Sequence, residues 1–308
     1  MKTIQMTRPE SLSASYAFCR SVCRRAGSNF APSFRLLSPA KRPAMHALYA
    51  FTRFTDDLCD NQQSTSERRE AIAAWFACCD RARLGDFAQD LAAKNHALAT
   101  GLAILPALAD AAARFHIPWE SLEAVIEGQE MDLTRHRYET FADLEQYCQR
   151  VASAVGVACI HIWGFGDRAV MEPARKCGIA FQLTNILRDL KEDAAAGRVY
   201  LPLEDLRAHD YTVDDLVRGI AGDRFLRLMD FEIRRARQLY EEGSQVARYL
   251  EPDGRRAFGV MCDIYGRLLD EIQRQPAAVL QRRIRLGRWQ KLRIALGWLL
   301  RPNARCQA

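Results

Sequence analysis

Apolar residues recur three and four positions apart along nearly the whole chain, the spacing that gathers side chains on one face of an α-helix. Between start and stop signals this pattern predicts helices over about residues 11–26, 39–60, 66–84, 90–115, 119–132, 141–164, 172–196, 213–249, 254–274 and 278–300. Ser38 before Pro39 reads as an N-cap followed by proline at the first helical position, and Ser64 with Glu67 as a capping box. Gly27, Gly85 and Gly197 follow helical stretches as C-terminal stops do. Pro106 should break or kink the helix that contains it. No segment alternates apolar and polar residues as a strand does, and there is no fixed-period repeat and no Pro-, Gly- or Ser-rich linker. The expectation is one all-α domain over residues 1–308, a helical bundle.

Two of these helices carry acidic stripes. In LYAFTRFTDDLCD, Leu48 to Asp60, the residues Ala47, Phe51, Phe54 and Leu58 share one face, while Tyr49, Arg53, Asp56 and Asp60 share nearly the opposite one. Carboxylates one turn apart repel each other by a few tenths of a kcal/mol unless a cation lies over them. A hard metal ion would serve, and so would plain solvent on an exposed acidic face. The second stripe, in FQLTNILRDLKEDAAAGRVYLP, repeats polar residues at one-turn spacing: Asn185, Asp189 and Asp193, with Gln182 and Glu192 nearby. Asn185 and Gln182 sit among Ile179, Leu183, Ile186, Leu187 and Leu190, where an unpaired amide is costly, so partners are expected for them. Two sparse acidic stripes facing a cavity suit Mg²⁺, which takes one or two carboxylates and fills its octahedron with water and phosphate oxygens. Arg53, Arg188 and Arg198 lie on or beside the stripes and can grip phosphate in bidentate fashion.

Composition narrows the class. Of 308 residues, 49% are hydrophobic and 27% charged, enough for a large core and unlike a disordered chain. Ten cysteines are scattered without a CxxC pair, and no secretory signal is recognisable, so buried reduced thiols in a cytoplasmic protein are expected. No apolar run is long enough to span a bilayer. The net charge of +6 belongs to the tail: residues 281–308 hold eight Arg and Lys and no acid, leaving the rest slightly acidic. With no basic face on the body and no recognition motif, nucleic acid is not expected as a partner. In the tail, Trp289, Leu292, Leu296, Leu299 and Leu300 form one stripe with Arg288 and Lys291 outside it. Either an anionic membrane surface or the bundle itself would cover such a helix.

These motifs strongly resemble the squalene and phytoene synthase family. The likeness runs through Gly27 to Phe30, the ALYAFTRFTDDLCD helix, YETFADLEQYCQRVASAVG at Tyr138 to Gly156, and QLTNILRDLKED followed by GRVYLP. It implies an isoprenoid-synthase bundle around a central cavity. It also implies Mg²⁺, with Mn²⁺ as a substitute, on Asp56, Asp60, Asn185, Asp189 and Asp193. Tyr49, Arg53, Arg188 and Arg198 would line the diphosphate site, and Gln182, Tyr200 and Tyr265 the same cavity. Many relatives read YCY where this chain has Tyr147, Cys148 and Gln149, so an aromatic hydroxyl is absent there.

The implied chemistry is ionisation of an allylic diphosphate, attack by a second prenyl chain, and formation of a cyclopropylcarbinyl diphosphate in a dry pocket. No Ser-His-Asp or Cys-His set is present, and none is needed. The wording EMDLTRHRYETF and RVASAVGVACIHIWGF resembles bacterial presqualene diphosphate and squalene-forming members. The expected product is therefore presqualene diphosphate from two farnesyl diphosphates, without NADPH. The alternatives are phytoene or dehydrosqualene synthesis, a complete NADPH-dependent squalene synthase, and a terpene cyclase or chain-elongating enzyme. A silent prenyl-binding or membrane-assembly protein is the non-enzymatic one. Prenyl diphosphates, an anionic inner-membrane surface and downstream isoprenoid enzymes are the expected partners.

Overall fold

The computed structural model describes residues 12–26, 30–59, 64–87 and 98–300, and its regular structure there is helical. Eleven helices of eight residues or more can be numbered: α1 (Leu12–Ala26), α2 (Arg42–Cys59), α3 (Thr65–Arg83), α4 (Leu105–Phe115), α5 (Trp119–Asp132), α6 (Phe141–Cys148), α7 (Ala154–Trp163), α8 (Met171–Ala195), α9 (Asp223–Ser244), α10 (Pro252–Arg274) and α11 (Arg288–Leu300). The described residues contain no strand, only two isolated bridges, Arg137 with Val199 and Phe165 with Leu250. None of the described helices is long and apolar enough to cross a membrane.

Most boundaries follow local chemistry. Ser64 accepts from the Glu67 N–H and Glu67 accepts from the Ser64 N–H at 2.8 Å, so the expected capping box starts α3. Gly85 and Gly197 adopt φ of 83° and 79°, the left-handed region in which glycine has no Cβ penalty. Four expectations need correction. Ser38 caps no helix: its N–H donates to Asp253 at 2.9 Å, and α2 begins only at Arg42. Pro106 breaks nothing, because it sits in the first turn of α4, where its missing N–H has no partner to lose. The stretch 213–249 is split before Asp223, with Gly219 at φ 68° in the gap. Residues 281–287 leave helical structure before α11.

The core is continuous around α8, the longest helix. Leu183, Ile186, Leu187 and Leu190 pack toward α9 and α10, while Ala174 and Cys177 face the cluster built from α2, α4, α5 and α7. Some of its buried polar groups pair with each other: the Trp75 indole N–H donates to Thr55 Oγ1 at 2.9 Å, and the hydroxyls of Thr184 and Tyr240 meet at 2.9 Å. The nine described cysteines are buried, and burial pushes the Cys19 and Cys23 thiols up to about 12.

Between α6 and α7 the backbone widens into a π-turn, Gln149–Ser153. The extra residue per turn bulges the backbone toward both neighbours, and each neighbour presents a glycine. A Cβ on Gly178 of α8 would lie 2.5 Å from Ser153 Cα, and one on Gly128 of α5 would lie 2.6 Å from Val151 Cγ1. Replacing Gly178 by Ala should therefore cost about 1–3 kcal/mol and lower the melting temperature by several degrees. Gly266→Ala in α10, where nothing lies within 4 Å, should be neutral or stabilising. Thermal unfolding of both variants checks this; equal midpoints would remove the glycine clamp.

Candidate active site

Eleven of the twelve residues singled out from sequence line one polar cavity of about 740 Å³. The twelfth, Asp60, lies outside the described residues. From α2 come Tyr49, Arg53 and Asp56, with Arg53 paired to Asp57 at 2.5 Å and Asp56 at 3.5 Å. From α8 come Gln182, Asn185, Arg188, Asp189 and Asp193, and Arg198, Tyr200 and Tyr265 join them.

Arg188 donates to Asp189 through Nε at 2.7 Å and Nη2 at 2.5 Å. Arg283, from the non-helical stretch before α11, grips the same carboxylate at 2.9 and 3.0 Å and reaches Glu192 at 3.1 Å. Asp193 has less compensation, with Arg198 at 3.9 Å. Burial, followed by the charge of Asp189, pushes its carboxyl up to about 7 against the opposing pull of Arg198. Arg198 is placed there by the left-handed Gly197, which turns the chain so that the Arg198 N–H returns to the Asp193 carbonyl at 2.8 Å.

Asn185 donates to Gln182 Oε1 at 3.3 Å and also reaches the Tyr265 hydroxyl, but its own buried Oδ1 has no hydrogen-bond partner. An orphan amide oxygen beside carboxylates, one of them (Asp193) weakly compensated, is a donor set that fits a hard cation. Among the described residues no three acidic, Cys or His side chains converge as a ready-made cage. That is consistent with a metal that also takes oxygens from its ligand.

Three contributors were not foreseen: Asp132, Tyr147 and Arg283. Asp132 ends α5 and accepts from Tyr147 at 2.8 Å and Tyr200 at 2.7 Å. The rings of Tyr138, Tyr147 and Tyr200 lie 5.2–5.8 Å apart around it. Backbone bonds from Val199 to His136 (3.0 Å) and from Leu203 to Tyr138 (2.9 Å) bring Tyr200 to this carboxylate. Burial, then the Asp132 charge, pushes both cavity phenols well up. The residue where relatives carry a further aromatic hydroxyl, Gln149, is exposed and does not line the cavity.

The polar chamber opens into an apolar one of about 220 Å³ that shares Phe30, Tyr49, Gln182, Asn185 and Tyr265 with it. From Asn185 to Ala174 its wall follows α8 through eleven residue steps, about 16 Å at 1.5 Å per step. Trp163 and Phe258 line its far part, with ring centroids 6.1 Å apart. Phe181 stacks on Tyr265 at 4.5 Å where the two chambers join. Such a cavity accepts an anionic head in the charged chamber and a long hydrocarbon in the dry one.

Comparison with known proteins agrees with this geometry. The family model described as "Squalene/phytoene synthase" matches residues 23–290. A phytoene synthase from Arthrospira platensis is 34% identical over 93% of both chains, and a 15-cis-phytoene synthase from Synechococcus elongatus is 35% identical over 92% of this chain and 91% of its own. Among solved structures, squalene synthase HpnC from Alicyclobacillus acidocaldarius superposes with a TM-score of 0.77 at 28% identity, covering 87% of this chain and 96% of its own. A dehydrosqualene synthase in complex with ligand gives 0.81 at 25% identity, covering 94% and 96%. The expected presqualene diphosphate product is overturned by these relatives: the curated ones at 30–35% identity are phytoene synthases, including the chloroplast enzyme of Arabidopsis thaliana at 31%. Matched by the family model over most of its length and by relatives 34–35% identical over nine-tenths of both chains, the chain belongs to the squalene/phytoene synthase family.

Proposed function

We propose that the chain is a phytoene synthase, joining two geranylgeranyl diphosphates head to head. The observation that carries this reading is the acid- and arginine-lined chamber opening into an apolar tunnel, in a chain whose curated relatives are phytoene synthases. Mg²⁺, or Mn²⁺ in its place, would be held by Asp56, Asn185, Asp189 and Asp193, with Asp60, and supplies positive charge that stabilises the departing diphosphate.

Arg53, Arg188, Arg198 and Arg283 would bind diphosphate oxygens, each exchanging a carboxylate partner for a phosphate one. Loss of the first diphosphate leaves an allylic cation. The double bond of the second chain attacks it, a proton leaves, and a cyclopropylcarbinyl diphosphate results. A second ionisation, rearrangement and proton loss give the hydrocarbon. Each stage releases one diphosphate and one proton, so the balance needs no reductant and NADPH is not required. The apolar walls exclude water from the cations, and aromatic faces of Phe30, Phe181 and Tyr265 lie where charge can rest on them. Asp132 holds the Tyr147 and Tyr200 hydroxyls at fixed positions in the chamber. Since substrate and product are lipids, the reading includes a working position on the inner face of a membrane, from which downstream isoprenoid enzymes take the product.

Geranylgeranyl diphosphate with Mg²⁺ should give phytoene by mass spectrometry, unaffected by NADPH and abolished by EDTA until Mg²⁺ is restored. Exclusive turnover of farnesyl diphosphate would refute the assignment. Asp189→Asn keeps volume and removes charge, so turnover should fall by at least about a hundredfold with the circular dichroism of the fold retained. Asp132→Asn deprives one of the two phenols of its carboxylate acceptor and should lower kcat by about tenfold or more, with a smaller change in KM. Wild-type kcat would show that the tyrosine–carboxylate set is only structural.

A further inference from the structure

Helix α11 is apolar on two opposite faces, and only one of them is covered. Ile294 and Trp298 are buried against the bundle, with the Trp298 indole N–H donating to Asp263 at 2.8 Å and its ring lying over Gly259, where no side chain would fit. The other face carries Trp289, Leu292, Leu296, Leu299 and Leu300, exposed by 79, 42, 49, 55 and 78%. The remaining exposed large hydrophobics among the described residues, Leu12, Phe76, Leu84, Val217 and Leu226, are scattered over other elements. Half of the total thus falls on one helix of thirteen residues, and a patch so concentrated marks a contact surface.

At 3.6 residues per turn the five residues occupy an arc of about 100°, opposite Ile294 and Trp298. Arg288 and Arg293, both exposed, border that arc on its two sides. Apolar residues flanked by bases at the arc's edges, with a tryptophan among them, is the arrangement of a helix lying in a lipid interface, where long basic side chains reach back to headgroups. Charge selects the lipid: the segment 281–308 has eight bases and no acid. The site is adjacent, since Arg283, Arg285 and Lys291 line the charged chamber.

We infer that the outer face of α11 is a docking surface for an anionic lipid bilayer, inserting Trp289, Leu292, Leu296, Leu299 and Leu300 below the headgroups. Because α11 is fixed to α10 through Trp298, docking orients the whole enzyme and sets the rim of its cavity at the membrane surface. Partition of the full chain needs neither metal nor prenyl substrate, so it can fail while the condensation proposed above stands, and the reverse.

Flotation with vesicles of phosphatidylglycerol and phosphatidylcholine, against phosphatidylcholine alone, tests it. Wild-type protein should float with the anionic vesicles, and brominated acyl chains should quench fluorescence that Trp289→Phe removes. Leu292→Glu with Leu296→Glu should abolish flotation while melting temperature and phytoene formation from detergent-dispersed substrate are retained. Arg288→Gln with Arg293→Gln should weaken partition by roughly thirtyfold at low salt. The inference is overturned if the Glu pair floats like wild type, or if neutral vesicles bind as well as anionic ones. It is equally overturned if the wild type ignores vesicles and sediments as a dimer that the Glu pair dissociates, since the face would then belong to a second copy.

Discussion

The structure is organised around the problem of holding several carboxylates together at the mouth of a hydrocarbon cavity. Asp189 is tolerated because two arginines, Arg188 from its own helix and Arg283 from a distant segment, close on it from different directions. Asp193 is one turn further on, with a single arginine at 3.9 Å, and its carboxyl rises to about 7. Asp193 is therefore less compensated than Asp189, although six bases and five acids line the chamber. Groups that cost stability when alone become an attraction for a ligand that brings cations with its own phosphates. Stability given up at such a site is a common mark of function, and at the C-terminal half of α8 it coincides with the charged chamber.

The other end of α8 solves the opposite problem, keeping water out. Cys177 and Gly178 leave room beside the π-turn, whose widened backbone presents Val151 and Ala152 to the tunnel wall. The glycines at 128 and 178 allow three helices to approach more closely than side chains permit. One helix thus serves both chambers: charged residues at one-turn spacing in its C-terminal half, small and apolar ones in its N-terminal half.

What could be read from sequence follows from this division. The helices were legible because burial imposes a 3.6-residue period on every one of them, and the acidic stripes because a one-turn spacing repeats within a single element. The glycines at 219 and 222, splitting 213–249, and the π-turn inside 141–164 were not, since a helical period persists on both sides of each interruption. Asp132 and Arg283 escaped for a different reason. Asp132 ends a helix already rich in acids, and Arg283 is one of many bases in the tail. Their roles come from partners 68 and 94 residues away, a relation that no local spacing records.

The same reasoning explains why the reaction type was easier to read than its substrate. In the proposed reaction the carboxylates, arginines and Asn185 handle the diphosphate, which is common to shorter and longer prenyl donors. Trp163 and Phe258 line the far part of the tunnel, away from those groups. Those residues belong to different helices and share no motif with each other or with the charged chamber. The position of Trp163 is set in turn by polar groups outside the cavity: Lys41 donates to the Trp163 carbonyl at 2.7 Å while pairing with Glu251 and Asp253 at the same distance. Gly254 packs directly on the Trp163 Cβ, and the chain leaves α7 through Gly164 at φ 80°. A wall held in this way can be moved by any of several dispersed substitutions without altering an acidic stripe. On the proposed function, the prenyl chain accepted is thereby free to change while the charged chamber stays as it is.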